Sequence, residues 1–332
     1  MENRKKDHII MAFDSQMPVK DLDQRFFYEP MMSAHPFSDA IPETWFCGKK
    51  MRMPIWISSM TGGTKEAGNI NRNLARACNE FGLGLGLGSC RILLEDDKHF
   101  PDFDLRDIIG HQQPFWANLG INQVEALLQQ GKGNLIVSLI ENLRADGLCV
   151  HVNPFQEWLQ PEGDRLCKPA LEVVQELLEK VRVPILVKEV GQGMGYESLR
   201  QLLRLPLAAI EFAAFGGTNF AKMELMRSNE AQMAMFEPFA HIGHDAEQML
   251  RMVNHIVDSE PESIKCKQLI ISGGIRSFLD GYYLVGKSRL PAVYGQASAF
   301  LKHARSDYES LRQFVEFQAK GLQMAYAFLR VK

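Results

Sequence analysis

The sequence predicts an α/β protein built as a closed (β/α)8 TIM barrel with an N-terminal extension. Short apolar runs alternate with amphipathic helical patterns along the chain, and eight of these runs are strand candidates. Their hydrophobicity is continuous, as expected when both faces of a parallel sheet are covered by helices. Eight such units favour a closed barrel over an open sheet, although 332 residues could also hold two ordinary domains.

The predicted strands follow one another with helical patterns between them. Apolar runs occur at residues 54–60, 83–88, 115–120, 147–153, 185–190, 207–214, 269–274 and 292–297. Amphipathic helical periodicity occurs at residues 69–81, 122–130, 169–181 and 196–205. Residues 1–50 precede the first strand, so we expect them to form an extension or lid that packs across a barrel of residues 51–332. Residues 219–243 are predicted to form a long loop.

The composition excludes several classes of partner. The chain is 46% hydrophobic and 23% charged with a net charge of −3, so no overall field favours nucleic acid or a membrane surface. Its apolar stretches are far shorter than the roughly 20 residues of a membrane span, and its N-terminus is charged, so we expect a cytoplasmic protein. Six scattered cysteines without a CxxC pair indicate reduced core thiols rather than zinc or disulfides.

Polar side chains crowd the segment that follows the apolar run 147–150. An imidazole, two amides and a carboxylate occur close together, at His151, Asn153, Gln156 and Glu157. Residues just past the carboxyl ends of barrel strands form the active sites of such folds, so this segment is a candidate site. An ordinary loop, in which the amides only bond backbone groups, is the alternative.

Glycine-rich segments follow two other predicted strands. Residues 59–64 combine paired glycines with hydroxyls, which suits either a ligand contact or a simple turn. Alternate glycines in residues 82–88 leave one strand face bare, so either something flat lies against it or a helix packs tightly on the sheet there. A dinucleotide site is disfavoured because no helix opens directly after this segment.

A cation and two further glycines mark the later strands. Lys188 falls within an apolar strand, where it needs an anionic ligand or a carboxylate partner, and neighbouring Glu189 should point to the opposite face. An ion pair with a more distant residue remains possible. Gly273 and Gly274 end a strand at the predicted mouth of a helix, which is a setting for phosphate. Residues 294–298 on the last strand would complete that phosphate site.

These motifs together resemble one family, the type 2 isopentenyl-diphosphate isomerases, which are FMN-dependent. The resemblance spans nearly the whole chain, and the motifs occur in the family's order. Its most specific parts are His-x-Asn-x-x-Gln-Glu at residues 151–157 and Arg-Lys-x-x-His at residues 4–8. The other matching segments are residues 60–63, 88–91, 117–120, 187–191, 216–219 and 272–276.

The resemblance implies a set of ligands and the residues that hold them. Reduced FMN would be bound by Ser59, Met60, Thr61, Ser89, Asn118, Lys188, Thr218, Gly273, Gly274, Ile275, Arg276, Ala297 and Ser298. A small-molecule diphosphate substrate would contact Arg4, Lys5, His8, Ser89, Arg91, His151, Asn153 and Gln156. Mg²⁺ would bridge Glu157 and the diphosphate, because Mg²⁺ keeps waters and takes ligands from phosphates. NADPH would reduce the flavin, and a homo-oligomer is expected.

The implied reaction is a 1,3-proton shift that interconverts isopentenyl and dimethylallyl diphosphate. The substrate has no carbonyl to stabilise an anion, so protonation of its alkene passes through a carbocation-like state. The resemblance implies that reduced FMN acts as the acid and base through N5. Gln156, His151 and Asn153 are the expected catalytic side chains, with Gln156 as a positioning or relay group.

The chain departs from the family pattern at three places. Ala213-Ala214 stands where the family often has Ser-Gly, and Ala297-Ser298 lacks a basic residue common after the small residue. In the predicted loop 219–243, His241 and His244 suit either a metal pair or a surface loop. Two alternatives are an FMN-barrel oxidase or dehydrogenase and a non-catalytic flavin or phospho-ligand binding protein.

Overall fold

The computed structural model describes residues 2–36, 41–59 and 61–332. Its strands are β1 (Phe26–Tyr28), β2 (Thr44–Phe46), β3 (Lys49–Met51), β4 (Ile55–Ile57), β5 (Gly84–Gly86), β6 (Phe115–Gly120), β7 (Gly147–His151), β8 (Ile185–Lys188), β9 (Ala209–Glu211), β10 (Leu269–Ser272), β11 (Ala292–Gln296) and β12 (Leu329–Val331). Strands β4 to β11 are parallel neighbours in chain order, and β11 pairs back to β4. The predicted closed barrel is therefore confirmed.

Among the described residues, one α-helix lies in the N-terminal extension, and each of the others follows a barrel strand. The helices are α1 (Glu2–Met11), α2 (Lys65–Phe81), α3 (Arg106–Ile109), α4 (Ile121–Gln129), α5 (Asn134–Leu143), α6 (Pro154–Leu159), α7 (Ala170–Lys180), α8 (Tyr196–Leu203), α9 (Phe220–Arg227), α10 (Glu230–Ala240), α11 (Ala246–Ser259), α12 (Phe278–Lys287), α13 (Ser298–Ser306) and α14 (Tyr308–Phe328). Short 3₁₀ helices lie at Val19–Asp21, Arg91–Leu94, Asp97–Asp102 and Pro261–Ser263. In the described part of the chain, no helix is long and apolar enough to cross a bilayer.

Helix α2 shows how local sequence sets these elements. The Thr64 side chain accepts a hydrogen bond from the Ala67 N–H, which satisfies one unpaired donor at the helix start. Gly82 ends the helix in the left-handed conformation, at φ 70°. Leu74 and Cys78 lie four residues apart on the buried face, so this helix packs its apolar stripe against the barrel.

The barrel interior is filled by side chains that point inward from alternate strand positions. Ile55 and Ile57 face the surrounding helices, whereas Trp56 between them belongs to the interior cluster. The other members of that cluster are Phe46, Met51, Trp116, Cys149, Leu186, Ala209, Ile270 and Val293. The bottom of the barrel is therefore a packed core, with no open pore.

The alternate glycines of β5 pack against an indole and do not form an open face. A Cβ at Gly84 would lie 2.4 Å from the Trp56 ring, and one at Gly86 would lie 3.4 Å from it. The flat group against this face is thus the protein's own Trp56, from the neighbouring strand β4, and it is neither a ligand nor a helix. The glycines are needed because the Trp56 indole occupies the space beside them.

The prediction of a long loop at residues 219–243 is wrong, because the segment contains α9 and α10. Asn219 and Asn229 cap these helices by accepting hydrogen bonds from the Lys222 and Gln232 N–H groups. The apolar residues of helix α10 are spread around it and only Ala240 is buried, so they form no single stripe that hydrophobic periodicity could detect. The two asparagine caps were the available signal.

The N-terminal extension contacts the barrel at two places. Strand β1 pairs antiparallel with β12, next to the C-terminus. Strands β2 and β3 form a hairpin whose Phe46 and Met51 are fully buried in the interior cluster, where they close the amino end of the barrel. Residues 3–11, in contrast, are exposed along α1.

Candidate active site

Polar side chains replace the apolar interior at the carboxyl ends of the strands. Five strands each carry a polar residue two positions after their inward-facing apolar residue. These polar residues are Ser58, Asn118, Lys188, Glu211 and Ser272, and all are at most 8% exposed. Strand alternation places these groups on the inner face. The same change occurs on five strands, so the mouth of the barrel is a polar floor over an apolar core.

A cavity of about 490 Å³ opens above this floor, within the size range of small-molecule sites. Its lining includes most of the residues that the family resemblance assigns to the flavin. These are Ser59, Lys188, Thr218, Gly273, Gly274, Ile275, Arg276, Ala297 and Ser298. The structure thus brings together groups from β4, β8, β10, β11 and the segment after β9.

Lys188 is the buried cation of this cavity and is 6% exposed. Its Nζ donates a 2.6 Å hydrogen bond to the Glu189 carbonyl oxygen. Within the described ranges, no carboxylate lies within ion-pair distance of Nζ, which leaves the ammonium available to an anionic ligand. Glu211 is its neighbour in the β8–β9 register, and the carboxylate accepts hydrogen bonds from Ser58 and Ser272 through Oε1.

The expected phosphate end of the cavity is built differently from the sequence prediction. Gly273 and Gly274 line the cavity, but α12 starts at Phe278 and is capped by Ser277 and Asp280. The glycines are therefore not at a helix N-terminus. Gly273, at φ 91°, is required instead because a Cβ there would lie 2.1 Å from the Ala214 carbonyl oxygen.

Helix α13 supplies the helix N-terminus that α12 does not. It begins at Ser298 with no side-chain cap, so its first N–H groups remain available beside the cavity. Lys302, one turn further along α13, and Arg276 also line the cavity. Among the described residues neither cation has a carboxylate partner, so this end of the cavity is electropositive.

His151 and Asn118 form a second part of the site, at the ends of β7 and β6. Asn118 Nδ2 donates to the Leu87 carbonyl oxygen at 2.9 Å, which fixes the orientation of the amide. Its Oδ1 then lies 2.8 Å from His151 Nδ1, so Nδ1 carries the proton and Nε2 is an acceptor. Burial, together with the charge of Lys188, lowers the His151 pKa to about 3, so the ring is neutral.

The predicted site residues of α6 are joined by hydrogen bonds. Asn153 stands at the N-cap of α6, yet its side chain does not cap the helix. Instead Nδ2 donates to Gln156 Oε1 at 3.0 Å and to Glu157 Oε1 at 3.1 Å. Asn153 Oδ1 is buried without a hydrogen-bond partner. A side chain that gives up capping to orient two neighbours is typical of a functional position.

Arg91 is connected to this cluster through Asp164. Arg91 Nη1 donates to Asp164 Oδ2 at 2.9 Å, and the Asp164 N–H donates to Glu157 Oε2 at 2.8 Å. A guanidinium from the segment after β5 is thereby linked to the carboxylate of α6. Candidate groups for the diphosphate and for its metal ion therefore lie in one continuous network.

Sequence reasoning missed Glu224 on α9. This carboxylate is 4% exposed, accepts from Gln156 Nε2 at 3.4 Å and accepts from Arg227 Nη1 at 2.6 Å. It was missed because the segment was taken for a loop. Glu224 and Arg227 are three residues apart, so a helix that starts after Asn219 turns both side chains toward one face. This spacing was the available signal.

Several predicted residues lie apart from these groups or cannot be placed. Met60 lies outside the described residues, and Thr61, Ser89 and Asn118 do not line the cavity. The exposed Arg4, Lys5 and His8 of α1 make no hydrogen bond or ion pair with any described residue. Over residues 2–36, 41–59 and 61–332, no three His, Cys, Asp or Glu side chains are grouped to hold a metal ion, and His241 and His244 form no such group.

The fold and the site define a (β/α)8-barrel enzyme with its polar site at the carboxyl mouth. Among solved structures, the chain resembles a mandelate oxidase variant carrying an FMN adduct, with a TM-score of 0.57, 14% identity and coverage of 93% of this chain and 88% of that one. It also resembles a flavocytochrome b2 variant with benzoylformate, with a TM-score of 0.63, 15% identity and coverage of 91% and 71%. These likenesses establish the fold.

Curated relatives identify the family. Proteins named isopentenyl-diphosphate delta-isomerase are 32% identical in Rickettsia felis, over 97% of this chain and 90% of the relative, and 32% identical in Cronobacter sakazakii, over 94% and 91%. A Nostoc protein of the same name is 32% identical over 95% and 88%. No protein-family model matches the chain. The chain belongs to the isopentenyl-diphosphate delta-isomerase family, which confirms the resemblance drawn from its motifs.

Proposed function

We propose that this chain interconverts isopentenyl diphosphate and dimethylallyl diphosphate by a 1,3-proton shift that depends on reduced FMN and Mg²⁺. The observation that carries the proposal is the network from Arg91 through Asp164 and Glu157 to Asn153 and Gln156. It joins a cation suited to phosphate, a carboxylate suited to Mg²⁺ and an amide suited to relay. The family membership points to the same reaction.

The cavity suits FMN. Lys188 provides positive charge at the barrel floor. Ser59 lines the same cavity, and its hydroxyl is buried without a hydrogen-bond partner. At the other end, Lys302, Arg276 and the start of α13 suit a phosphate. The bound flavin would supply acid and base chemistry through N5 in its reduced form. Lys188 would favour that form, because reduced flavin holds negative charge near its pyrimidine ring.

The protein groups position the diphosphate and control protons beside it. Arg91 would bind the diphosphate, while Glu157 would hold Mg²⁺ that takes its remaining ligands from water and phosphate. Gln156 would be held between Asn153 and Glu224, so that its amide faces the reacting carbons in one orientation. The Glu224 carboxylate would also stabilise positive charge that develops on the substrate.

The remaining parts of the proposal rest on the family resemblance and on composition. We propose NADPH as the source of electrons for the flavin, and a homo-oligomer as the working form. The N-terminal Arg4, Lys5 and His8 would close over the diphosphate. A cytoplasmic location accords with cysteines that are free in the structure, four of them buried.

One anaerobic assay tests the proposal directly. Purified protein is incubated with FMN, NADPH, Mg²⁺ and isopentenyl diphosphate, and the products are analysed for dimethylallyl diphosphate. We expect product with reduced flavin and none with oxidised flavin under air. Equal turnover in the two conditions would contradict the acid and base role of the reduced form.

An oxidase of 2-hydroxy acids is the second candidate function. It is favoured by one geometric observation, since Asn118 leaves His151 Nε2 as a proton acceptor and such enzymes need a base. The lowered His151 pKa, about 3, makes this imidazole a weak base and so favours the isomerase. Anaerobic mixing of the FMN-loaded protein with mandelate or lactate distinguishes the two. Bleaching of the oxidised flavin spectrum would support the oxidase, whereas the isomerase predicts no reduction.

A further inference from the structure

We propose that Asp164 is a positioning residue that holds Arg91 in place for the substrate diphosphate. The inference rests on the proposed function and extends it to a residue that the family motifs did not assign. Asp164 Oδ2 accepts from Arg91 Nη1 at 2.9 Å and from Gln123 Nε2 at 3.1 Å. Its backbone N–H donates to Glu157 Oε2 at 2.8 Å.

Arg91 needs such a partner because its side chain is long and lies in the open. Its side chain is 52% exposed, so without a fixed contact it would sample many rotamers. Binding a phosphate would then require those rotamers to be lost. A carboxylate that holds one Nη1 proton leaves other guanidinium N–H groups free to donate to phosphate oxygens.

Asp164 is itself well placed for this role. Its main chain is fixed by the hydrogen bond to Glu157, and its carboxylate is shared with Gln123 of α4. Asp164 therefore sets the distance between Glu157, the candidate metal ligand, and Arg91, the candidate phosphate ligand. An exposed ion pair of this kind adds little to folding stability, so its effect should appear in ligand binding.

The test separates the two contacts of Asp164. Asp164→Ala removes the carboxylate that holds Arg91 but keeps the N–H that bonds Glu157. Calorimetric titration with magnesium pyrophosphate should show binding weakened about three- to tenfold, the cost of reordering one long side chain. Asp164→Asn keeps an acceptor for Arg91 and should recover part of the loss.

Glu95 provides a matched control. Its carboxylate lies 4.0 Å from Arg91 Nε and is 71% exposed. Glu95→Ala removes the same charge beside the same guanidinium and should leave pyrophosphate affinity unchanged. If the Glu95 and Asp164 variants weaken binding equally, or if Asp164→Ala binds as tightly as the parent protein, Asp164 does not position Arg91.

A double-mutant cycle with Arg91→Ala shows whether Asp164 acts through Arg91. Asp164→Ala should have no further effect on pyrophosphate binding once Arg91 is truncated. An undiminished effect in that background would overturn the inference. The isomerase assay on the parent protein tests the proposed function separately from the positioning role of Asp164. Turnover together with an unaffected Asp164 variant rejects only the positioning role, whereas a parent protein that neither binds pyrophosphate nor isomerises rejects both.

Discussion

Asn118 fixes the protonation of His151 at the barrel mouth. The Asn118 amide cannot reverse, because its Nδ2 must donate to the Leu87 carbonyl, and Oδ1 therefore accepts the His151 Nδ1 proton across 2.8 Å. A neutral imidazole in this tautomer has no N–H left at Nε2 to offer a phosphate oxygen. His151 can contact a diphosphate favourably only after Nε2 takes up a proton.

We therefore predict that diphosphate binding is coupled to proton uptake at His151. Near neutral pH, binding of magnesium pyrophosphate should take up a proton, since a nearby dianion raises the pKa of the imidazole. Calorimetry in buffers of different ionisation enthalpy measures the number of protons taken up on binding. The uptake should disappear in His151→Asn, and binding without any uptake in the parent protein would show that His151 stays neutral.

The same histidine should make the ligand-free protein less stable in acid. Its pKa is lowered from 6.5 to about 3, so the unfolded chain binds the proton more readily than the folded one. The stabilising contribution is complete above the unfolded value and is lost as the pH falls from 6.5 toward 3. One proton corresponds to a slope of about 1.4 kcal/mol per pH unit.

Urea unfolding across this pH window checks the expectation. His151→Asn should flatten the pH dependence of the free energy of unfolding. His241→Asn, at a position 70% exposed, is the control and should leave the slope unchanged. Identical slopes in the parent protein and the His151 variant would contradict the burial argument.

Lys302 should contribute to the affinity for FMN but not to the affinity for riboflavin. Lys302→Met keeps the aliphatic stem but removes the charge at the electropositive end of the cavity, so the affinity for FMN should fall about tenfold. Riboflavin lacks the phosphate, and its affinity should be unchanged. Flavin fluorescence titrations give both constants. Lys320→Met, at an exposed position of α14, is the control. If the affinities for both flavins fall equally, Lys302 acts on the flavin ring and not on the phosphate.

The barrel could be predicted from sequence because each strand is a continuous apolar run followed by polar residues. The end of β7 illustrates this, since Val150 is the last apolar residue and His151 opens the site. The packing inside the barrel could not be predicted in the same way. Whether the glycines of β5 face a ligand or an indole depends on Trp56 of the neighbouring strand, and one-strand patterns do not contain that information.

The parts of the site that were missed depend on long-range contacts or on exposed helices. Asp164 meets Arg91 across 73 residues of sequence, and Glu224 meets Gln156 across 68. The apolar residues of helix α10 do not lie on one face, so only its Asn229 cap marks it. Periodicity detects buried faces, whereas these contacts arise from how the carboxyl ends of the strands converge.

Glu157→Gln should separate metal binding from flavin binding. The amide keeps the shape of the side chain, and it should raise the Mg²⁺ concentration needed for activity and lower turnover by orders of magnitude. Flavin should remain bound, because Glu157 contacts Asn153 and Asp164 and does not line the flavin cavity. Turnover against Mg²⁺ and the flavin absorption spectrum are the measurements. Loss of flavin from this variant would show that the role of Glu157 is misassigned.

Removal of residues 1–8 should impair catalysis without unfolding the barrel. The described residues of this segment lie in α1, where residues 3–8 are exposed, so their loss removes little packing. Arg4, Lys5 and His8 would nevertheless contribute charge-assisted bonds to a bound diphosphate and exclude water from a carbocation-like state. The truncated protein should therefore show a higher KM and a lower kcat, with an unchanged FMN spectrum and Tm. Kinetics equal to those of the full chain, or a loss of the folded state, would rule out the lid.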